Sequence, residues 1–199
     1  MTDLAPAERP TLTLPREAAE VLRAAYAGAG VILEYGSGGS TIMAGEMPGK
    51  RVFSVESDAD WARRMRGWFA VNPPAADVTI HHANIGPTKE WGHPADDRQF
   101  RRWPGYANSV WERDDFVHPD VVLVDGRFRA ACLMTVAMRI RRPVTVLFDD
   151  YLARDAYHKV EVLLKPAAMF GRMARFDLTP QPFPVDRLGW LIGLFLKPV

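Results

Sequence analysis

One cysteine, Cys132, stands in 199 residues. That scarcity excludes an internal disulfide framework and a cysteine-rich zinc site, and it fits a reducing compartment such as the cytoplasm. Charge of one sign is missing too: 25 Lys and Arg meet 24 Asp and Glu, a net charge of +1. Such a chain has no long-range pull toward nucleic acid or an acidic membrane, and neither is expected as a partner. No apolar run approaches the roughly 18 residues of a membrane helix, the longest candidate being Trp190 to Leu196. Met1 to Pro15 carries acids and three prolines where an export signal needs a basic start and an apolar stretch, so it reads as a short leader.

What is present is average in bulk and informative in order. The 48% hydrophobic and 25% charged residues are those of an ordinary globular chain. Ala18, Val21, Leu22 and Ala25 fall at helical spacing over Arg16 to Ala27. Val31 to Leu33 is a short apolar strand ending at Glu34 and Tyr35, followed by Gly36-Ser37-Gly38-Gly39-Ser40-Thr41 and an apolar stretch at Ile42 to Ala44. Arg51 to Val55 repeats the strand and closes on Glu56, and Ser57 or Asp58 offers an N-cap to a helix with Trp61, Met65, Trp68 and Phe69 on one face. A third strand is expected over Val78 to Ile85, a fourth over Asp120 to Val124 and a fifth over Val144 to Phe148. Helices are expected over Phe128 to Ile140 and Asp155 to Leu164, and late strands near Met173 to Leu178 and Leu191 to Leu196. Short apolar strands alternating with helices predict an α/β fold, a mostly parallel sheet covered on both faces, in one domain over residues 1–199. Gly86 to Pro119 is too long for an ordinary turn and holds six aromatics, among them Trp91, Trp103, Tyr106 and Trp111. It is either a lid over the site or a structural flap.

Open parallel sheets bind ligands at the carboxyl ends of their strands. Those ends carry Glu34, Glu56, Asn84, Asp125, and the pair Asp149 and Asp150. The glycine turn lets a ligand approach bare backbone, and Glu56 lies where a carboxylate can accept both hydroxyls of a ribose. A nucleoside cofactor is indicated. Thr41 stands where a dinucleotide fingerprint wants its third glycine, and Gly49-Lys50 lacks the rest of a phosphate loop.

Glu34 to Thr41, with Glu56 closing the second strand, resembles the cofactor site of class I S-adenosylmethionine-dependent methyltransferases. The resemblance spans Leu33 to Tyr151 and implies a Rossmann-like, seven-stranded sheet with an antiparallel last strand. It implies a cofactor set of Glu34, Tyr35, Gly36, Ser37, Gly38, Ser40, Thr41, Glu56, Asn84, Ile85 and Asp125, with the glycine turn beside the methionine part, Glu56 on the ribose and Asn84 and Ile85 near the adenine. Val122 to Gly126 and Val146 to Tyr151 resemble the metal-dependent O-methyltransferases of the catechol type. That likeness makes Asp125, Asp149 and Asp150 the catalytic trio and the ligands of a divalent ion, magnesium or manganese by their oxygen chemistry. Alternatively the acids face the cofactor or cap the next helix.

One departure is plain: the lysine base of those enzymes is replaced by Phe128, flanked by Arg127 and Arg129, and arginine is no base at neutral pH. Asp150, Tyr151, Lys89 and His158 are the remaining base candidates. Ile85 to Gly92 with Asp125 to Arg129 is also similar to bacterial methyltransferase-like proteins without assigned substrates. The implied reaction is methylation of an oxygen on a small-molecule or glycan-like acceptor. A methyltransferase fold that binds without catalysing is the alternative, and a nicotinamide-dependent oxidoreductase a weaker one. The neighbours His81 and His82 must point to opposite faces of a strand, and Cys132 lies in an apolar run as a buried thiol. Oligomeric state has no signature.

Overall fold

The computed structural model describes residues 8–198, so the first half of the proposed leader lies outside the described residues. The chain opens with helix α1 (Arg16–Gly28), which buries Ala18, Leu22 and Tyr26 at the predicted spacing. β1 (Val31–Tyr35) leads through the glycine turn into the short helix α2 (Gly39–Gly45), and β2 (Arg51–Glu56) into α3 (Ala59–Val71). Asp58 is the N-cap of α3, its Oδ1 accepting the Trp61 N–H at 2.7 Å. β3 (Asp77–His82) ends three residues earlier than predicted because its partner β2 ends at Glu56, opposite His82.

The long connection then folds on itself. β4 (Thr88–Lys89) and β5 (His93–Pro94) form a small antiparallel ribbon, and α4 (Pro104–Asn108) follows between 3-10 turns. β6 (Val121–Val124) is buried at every residue, as a central parallel strand should be, and precedes α5 (Arg129–Arg139). β7 (Val144–Phe148) is followed by α6 (Asp155–His158), which continues as a 3-10 turn over Lys159–Val162 in place of one longer helix. β8 (Ala168–Phe170) and β9 (Met173–Leu178) make a hairpin, and α7 (Leu188–Leu194) closes the described chain.

The seven-stranded sheet runs in the order β3-β2-β1-β6-β7-β9-β8. β3, β2, β1, β6 and β7 are parallel, and β9 is antiparallel to both of its neighbours. The Rossmann-like class is as read from the sequence. One element is corrected: Leu191 to Leu196 is not a strand but the end of a helix, whose Leu191 and Leu194, three apart, pack on the side of α5. A short apolar run has no period long enough to separate the two states. The second strand of the late hairpin is instead β8, three residues long.

Among the described residues, no helix is long and apolar enough to cross a membrane. One large cluster, built on β6, β7 and α5, also receives Trp103, Tyr106, Ala107 and Val110 from the 86–119 segment. That part of the segment is core, whereas Trp91 at the ribbon tip is 84% exposed.

Candidate functional site

Strand order reverses between β1 and β6, so their carboxyl ends diverge into the crevice where ligands bind in such sheets. Gly36 makes the turn out of β1 with φ +106°, a conformation open to glycine, and a Cβ on it would lie 2.8 Å from the backbone nitrogen of Gly126. Gly126 in turn lies under the Tyr106 hydroxyl, which accepts the Arg127 N–H at 3.2 Å. Gly38 is different: a Cβ there would meet nothing within 4 Å, so the turn offers open backbone at that point.

Beneath the turn lies a polar core. Glu34 is fully buried, one carboxylate oxygen accepting from the Tyr26 hydroxyl at 2.7 Å and the other from Thr41 at 2.5 Å. Burial pushes its pKa up, against the pull of those hydrogen bonds. The Thr41 hydroxyl also accepts the Gly38 N–H at 2.9 Å, and Ser37 and Ser54 share a hydrogen bond of 2.7 Å. Tyr35 is fully buried as well, its hydroxyl donating to the Ala107 carbonyl and receiving the Trp111 indole N–H, both at 2.7 Å. Of the residues named from the sequence, Glu34 and Thr41 therefore brace the turn from below, while the Tyr35 side chain lies on the opposite face of β1, bonded to the 104–112 segment. Ser40 is 7% exposed and belongs with Glu34 and Thr41.

Glu56 stands at the end of β2. Its Oε1 accepts the backbone N–H groups of Ser57 at 2.7 Å and Asp58 at 2.9 Å, and Oε2 faces the Ser37 N–H at 3.4 Å. Burial raises its pKa while these N–H groups lower it. The ribbon lies directly on it: Ser57 Oγ donates to the Gly92 carbonyl and Thr88 Oγ1 to Asp58 Oδ2, each at 2.9 Å, and Glu56 is left 8% exposed. Asn84, beyond β3, is exposed and accepts the Gly86 N–H at 3.0 Å, while Ile85 is buried.

The three aspartates come together at the ends of β6 and β7, but around arginine. Arg129, 3% exposed, donates to the carbonyls of Asp149 at 2.6 Å, Gly126 at 3.0 Å and Asp125 at 3.1 Å. The same guanidinium reaches the carboxylates of Asp125 at 3.1 Å and Asp150 at 3.3 Å. Arg172, from the β8–β9 turn, holds both oxygens of the fully buried Asp149 and approaches Asp150 at 3.3 Å. Arg154 adds a third guanidinium to Asp150, also at 3.3 Å.

The divalent-metal reading of Asp125, Asp149 and Asp150 is thereby corrected. Fixed cations already pair with these oxygens, and a dication among them would meet three guanidinium groups at ion-pair distance. Among the described residues no group of three or more histidine, cysteine or acidic side chains is placed to hold a metal.

The trio is not uniform. Asp149 has no free oxygen, and Asp150, with φ +57°, is shared by three arginines. Asp125 has one close charged partner and keeps 30% of its side chain exposed. Its pKa is pushed up to about 7 by burial first and then by Asp149 and Asp150, against the pull of Arg129. A carboxyl group poised there can accept or return a proton near neutral pH.

Of the other base candidates, the Tyr151 hydroxyl donates to Glu161 at 2.9 Å, and burial and that carboxylate push its pKa up. His158 is tied to the Tyr151 carbonyl at 3.0 Å, and Lys89 is exposed on the ribbon. His81 shares a hydrogen bond with Ser109 at 2.8 Å, and burial lowers its pKa to about 4. Cys132 is fully buried, and burial pushes its thiol pKa well up, so it is inert. The sequence gives no site role to Arg129 or Arg172: an arginine carries no local signal of burial, and Arg172 is far in sequence from the ends of β6 and β7.

No protein-family model matches this chain, and no curated protein matches it. Among solved structures it is similar to a methyltransferase-like protein from Silicibacter pomeroyi DSS-3, with 53% identity, a TM-score of 0.92, and 96% of this chain and 99% of that one covered. The O-methyltransferase TomG from Streptomyces achromogenes, solved with S-adenosylmethionine, shares the fold at 16% identity and a TM-score of 0.55, over 85% of this chain and 82% of that one. A methyltransferase from Geobacter sulfurreducens shares it at 12% identity and a TM-score of 0.51, over 83% and 80%.

Proposed function

The chain belongs to the class I S-adenosylmethionine-dependent methyltransferases, and we propose that it moves a methyl group to an oxygen of a small or medium acceptor, a small molecule or a glycan-like one. The observation that carries this reading is the pairing, at the reversal point of the sheet, of an open glycine backbone at Gly38 with the Glu56 carboxylate across from it. The residues present fit the cofactor. Glu56 would hold the ribose, the Gly36 to Gly38 backbone would lie along the methionine part, and Asn84 and Ile85 would border the adenine.

The cofactor, when bound, supplies a methyl group already activated by a sulfonium. What remains for the chain is positioning and proton transfer. Asp125 accepts the proton of the acceptor hydroxyl, with Arg129 holding its carboxylate in place. Asp149 and Asp150 act through the arginines, fixing the ends of β6 and β7 against each other. The ribbon and the 86–119 segment exclude water from the crevice, as a lid does. We read residues 1–199 as one functional unit working in the cytoplasm, without nucleic acid or membrane.

The test is calorimetric titration with S-adenosylhomocysteine, with NAD as control, followed by methyl transfer from labelled S-adenosylmethionine across a hydroxyl-acceptor panel. Micromolar binding of the first ligand with turnover supports the reading. Preference for NAD would turn it to an oxidoreductase, and binding without turnover on any acceptor to a binding protein of the same fold.

A further inference from the structure

Arg127 is a fourth arginine at the strand ends, and nothing in the mechanism above uses it. It leaves β6 two residues after Asp125, half-buried, and among the described residues it makes no ion pair. Its backbone N–H goes to the Tyr106 hydroxyl at 3.2 Å, and its Nη1 meets His93 Nε2, which must be an unprotonated nitrogen to accept it. The buried Nε has no hydrogen-bond partner among the described residues. Burial and the charges of Arg129 and Arg154 lower its pKa.

A desolvated guanidinium without a carboxylate is costly, and the cost is recovered when an anion binds. Other cations gather at the same place. Lys89 lies opposite His93 in the ribbon, and Lys89, Arg154 and Arg127 all lower the pKa of that histidine, burial coming first. The acids of the neighbourhood are taken: Asp150 is shared among Arg129, Arg154 and Arg172, and Asp125 is held by Arg129.

We propose that Arg127, with Lys89 and Arg154 beside it, forms an oxyanion site that takes a carboxylate or phosphate group of the methyl acceptor. The planar fork of arginine suits both groups. The inference rests on the methyltransferase reading for the word acceptor, and on the geometry alone for the anion. An acceptor anchored here by its charged end would present a hydroxyl to Asp125, two residues back along the same strand end.

The test follows arginine Nε–H signals of 15N-labelled protein by NMR while inorganic phosphate, or separately benzoate, is titrated in, with and without S-adenosylhomocysteine. The signal absent from Arg127→Met is that of Arg127. The expected result is a saturable shift of that signal in both cofactor states. Binding is expected to be at least tenfold weaker in Arg127→Met and severalfold weaker in the partly exposed Arg154→Met, with S-adenosylhomocysteine affinity within twofold of the parent. If Arg127→Met does not fold, Arg127→Lys, which keeps the charge and loses the Nε–H, assigns the signal, and Arg154→Met carries the affinity comparison. A response to one probe alone assigns the anion as phosphate or carboxylate. Absence of a saturable shift, or equal affinity in parent and variants, overturns the site. Loss of anion binding on adding S-adenosylhomocysteine, or a tenfold loss of its affinity in Arg127→Met, also overturns it, because the guanidinium then serves the cofactor's own carboxylate. Anion binding in a protein that takes no S-adenosylhomocysteine would keep the site and remove the methyltransferase reading.

Discussion

Arg172 grips Asp149 through two parallel hydrogen bonds, Nε to Oδ1 at 3.0 Å and Nη2 to Oδ2 at 2.6 Å, tying the turn of the late hairpin to the end of β7. Asp149 is fully buried and Arg172 partly open to water. Removing one partner leaves a buried charge, which costs about 3–5 kcal/mol in a closed interior and less where solvent can reach. Arg172→Met is expected to lose about 2–3 kcal/mol in urea unfolding on that basis. Asp149→Asn combined with Arg172→Met should recover part of the loss; an additive double variant would dissolve the pair.

With arginine at the centre of the acids, divalent ions have no specific place. A ligand held at a hundred times its dissociation constant stabilises by about 2.7 kcal/mol, several degrees in Tm for a chain of this size. Thermal unfolding in millimolar magnesium, in manganese and in chelator is expected to coincide within about 1 °C. A rise of several degrees with either metal would contradict the arginine-filled arrangement.

Asp125 makes stability depend on pH with a defined sign. Its folded pKa, about 7, lies above that of an unfolded aspartate, so the folded state holds the proton more tightly. The stability it contributes is full below about pH 4 and is lost as pH rises toward 7. Asp125→Asn removes that slope, and its Tm should gain on the parent by a few degrees at pH 8 relative to pH 4. Methyl transfer runs the other way: the parent rate should rise through about pH 7 as the base ionises, and the variant should be slower by about a hundredfold and flat.

Gly36→Ala forces a side chain into φ +106° and against the Gly126 backbone 2.8 Å away, where neither neighbour can yield. A loss of about 2–4 kcal/mol is expected, combining left-handed strain with overpacking. Gly38→Ala, with open space around it, should fold normally and reveal its effect in S-adenosylhomocysteine affinity. Equal stability of the two variants would show that the turn is not pinned at Gly36.

Glu56→Ala is expected to weaken S-adenosylhomocysteine by a few kcal/mol at most, the worth of charged hydrogen bonds to the ribose. Calorimetry decides, and unchanged affinity would remove Glu56 from the site.

Much of this was legible in the residues because burial and backbone demands leave local marks. β1, β2, β6 and β7 are apolar runs ending in acids, and Gly36 announces its turn. What sequence could not give was pairing. Asp125, Asp149 and Asp150 read equally well as metal ligands or as partners of a cation, and the choice rests on Arg129 and Arg172, whose positions depend on α5 and the hairpin packing. Glu34 and Thr41 lie in the motif with their side chains bonded to each other beneath it, a pairing between β1 and α2 that no local pattern marks. Leu191 to Leu196 misled because a short apolar run fits a short helix as well as a strand.

The two hydrogen bonds that fasten the ribbon to Ser57 and Asp58, over Glu56, have a kinetic meaning. If the proposed cofactor contacts Glu56, it meets the ribbon first, and association should then proceed in sequence: the latch parts, then the ligand settles. Observed association rates should climb with ligand concentration and then level at the frequency with which the latch opens. The same latch should then slow escape, giving a ligand beneath it a residence time set by the ribbon rather than by its own contacts.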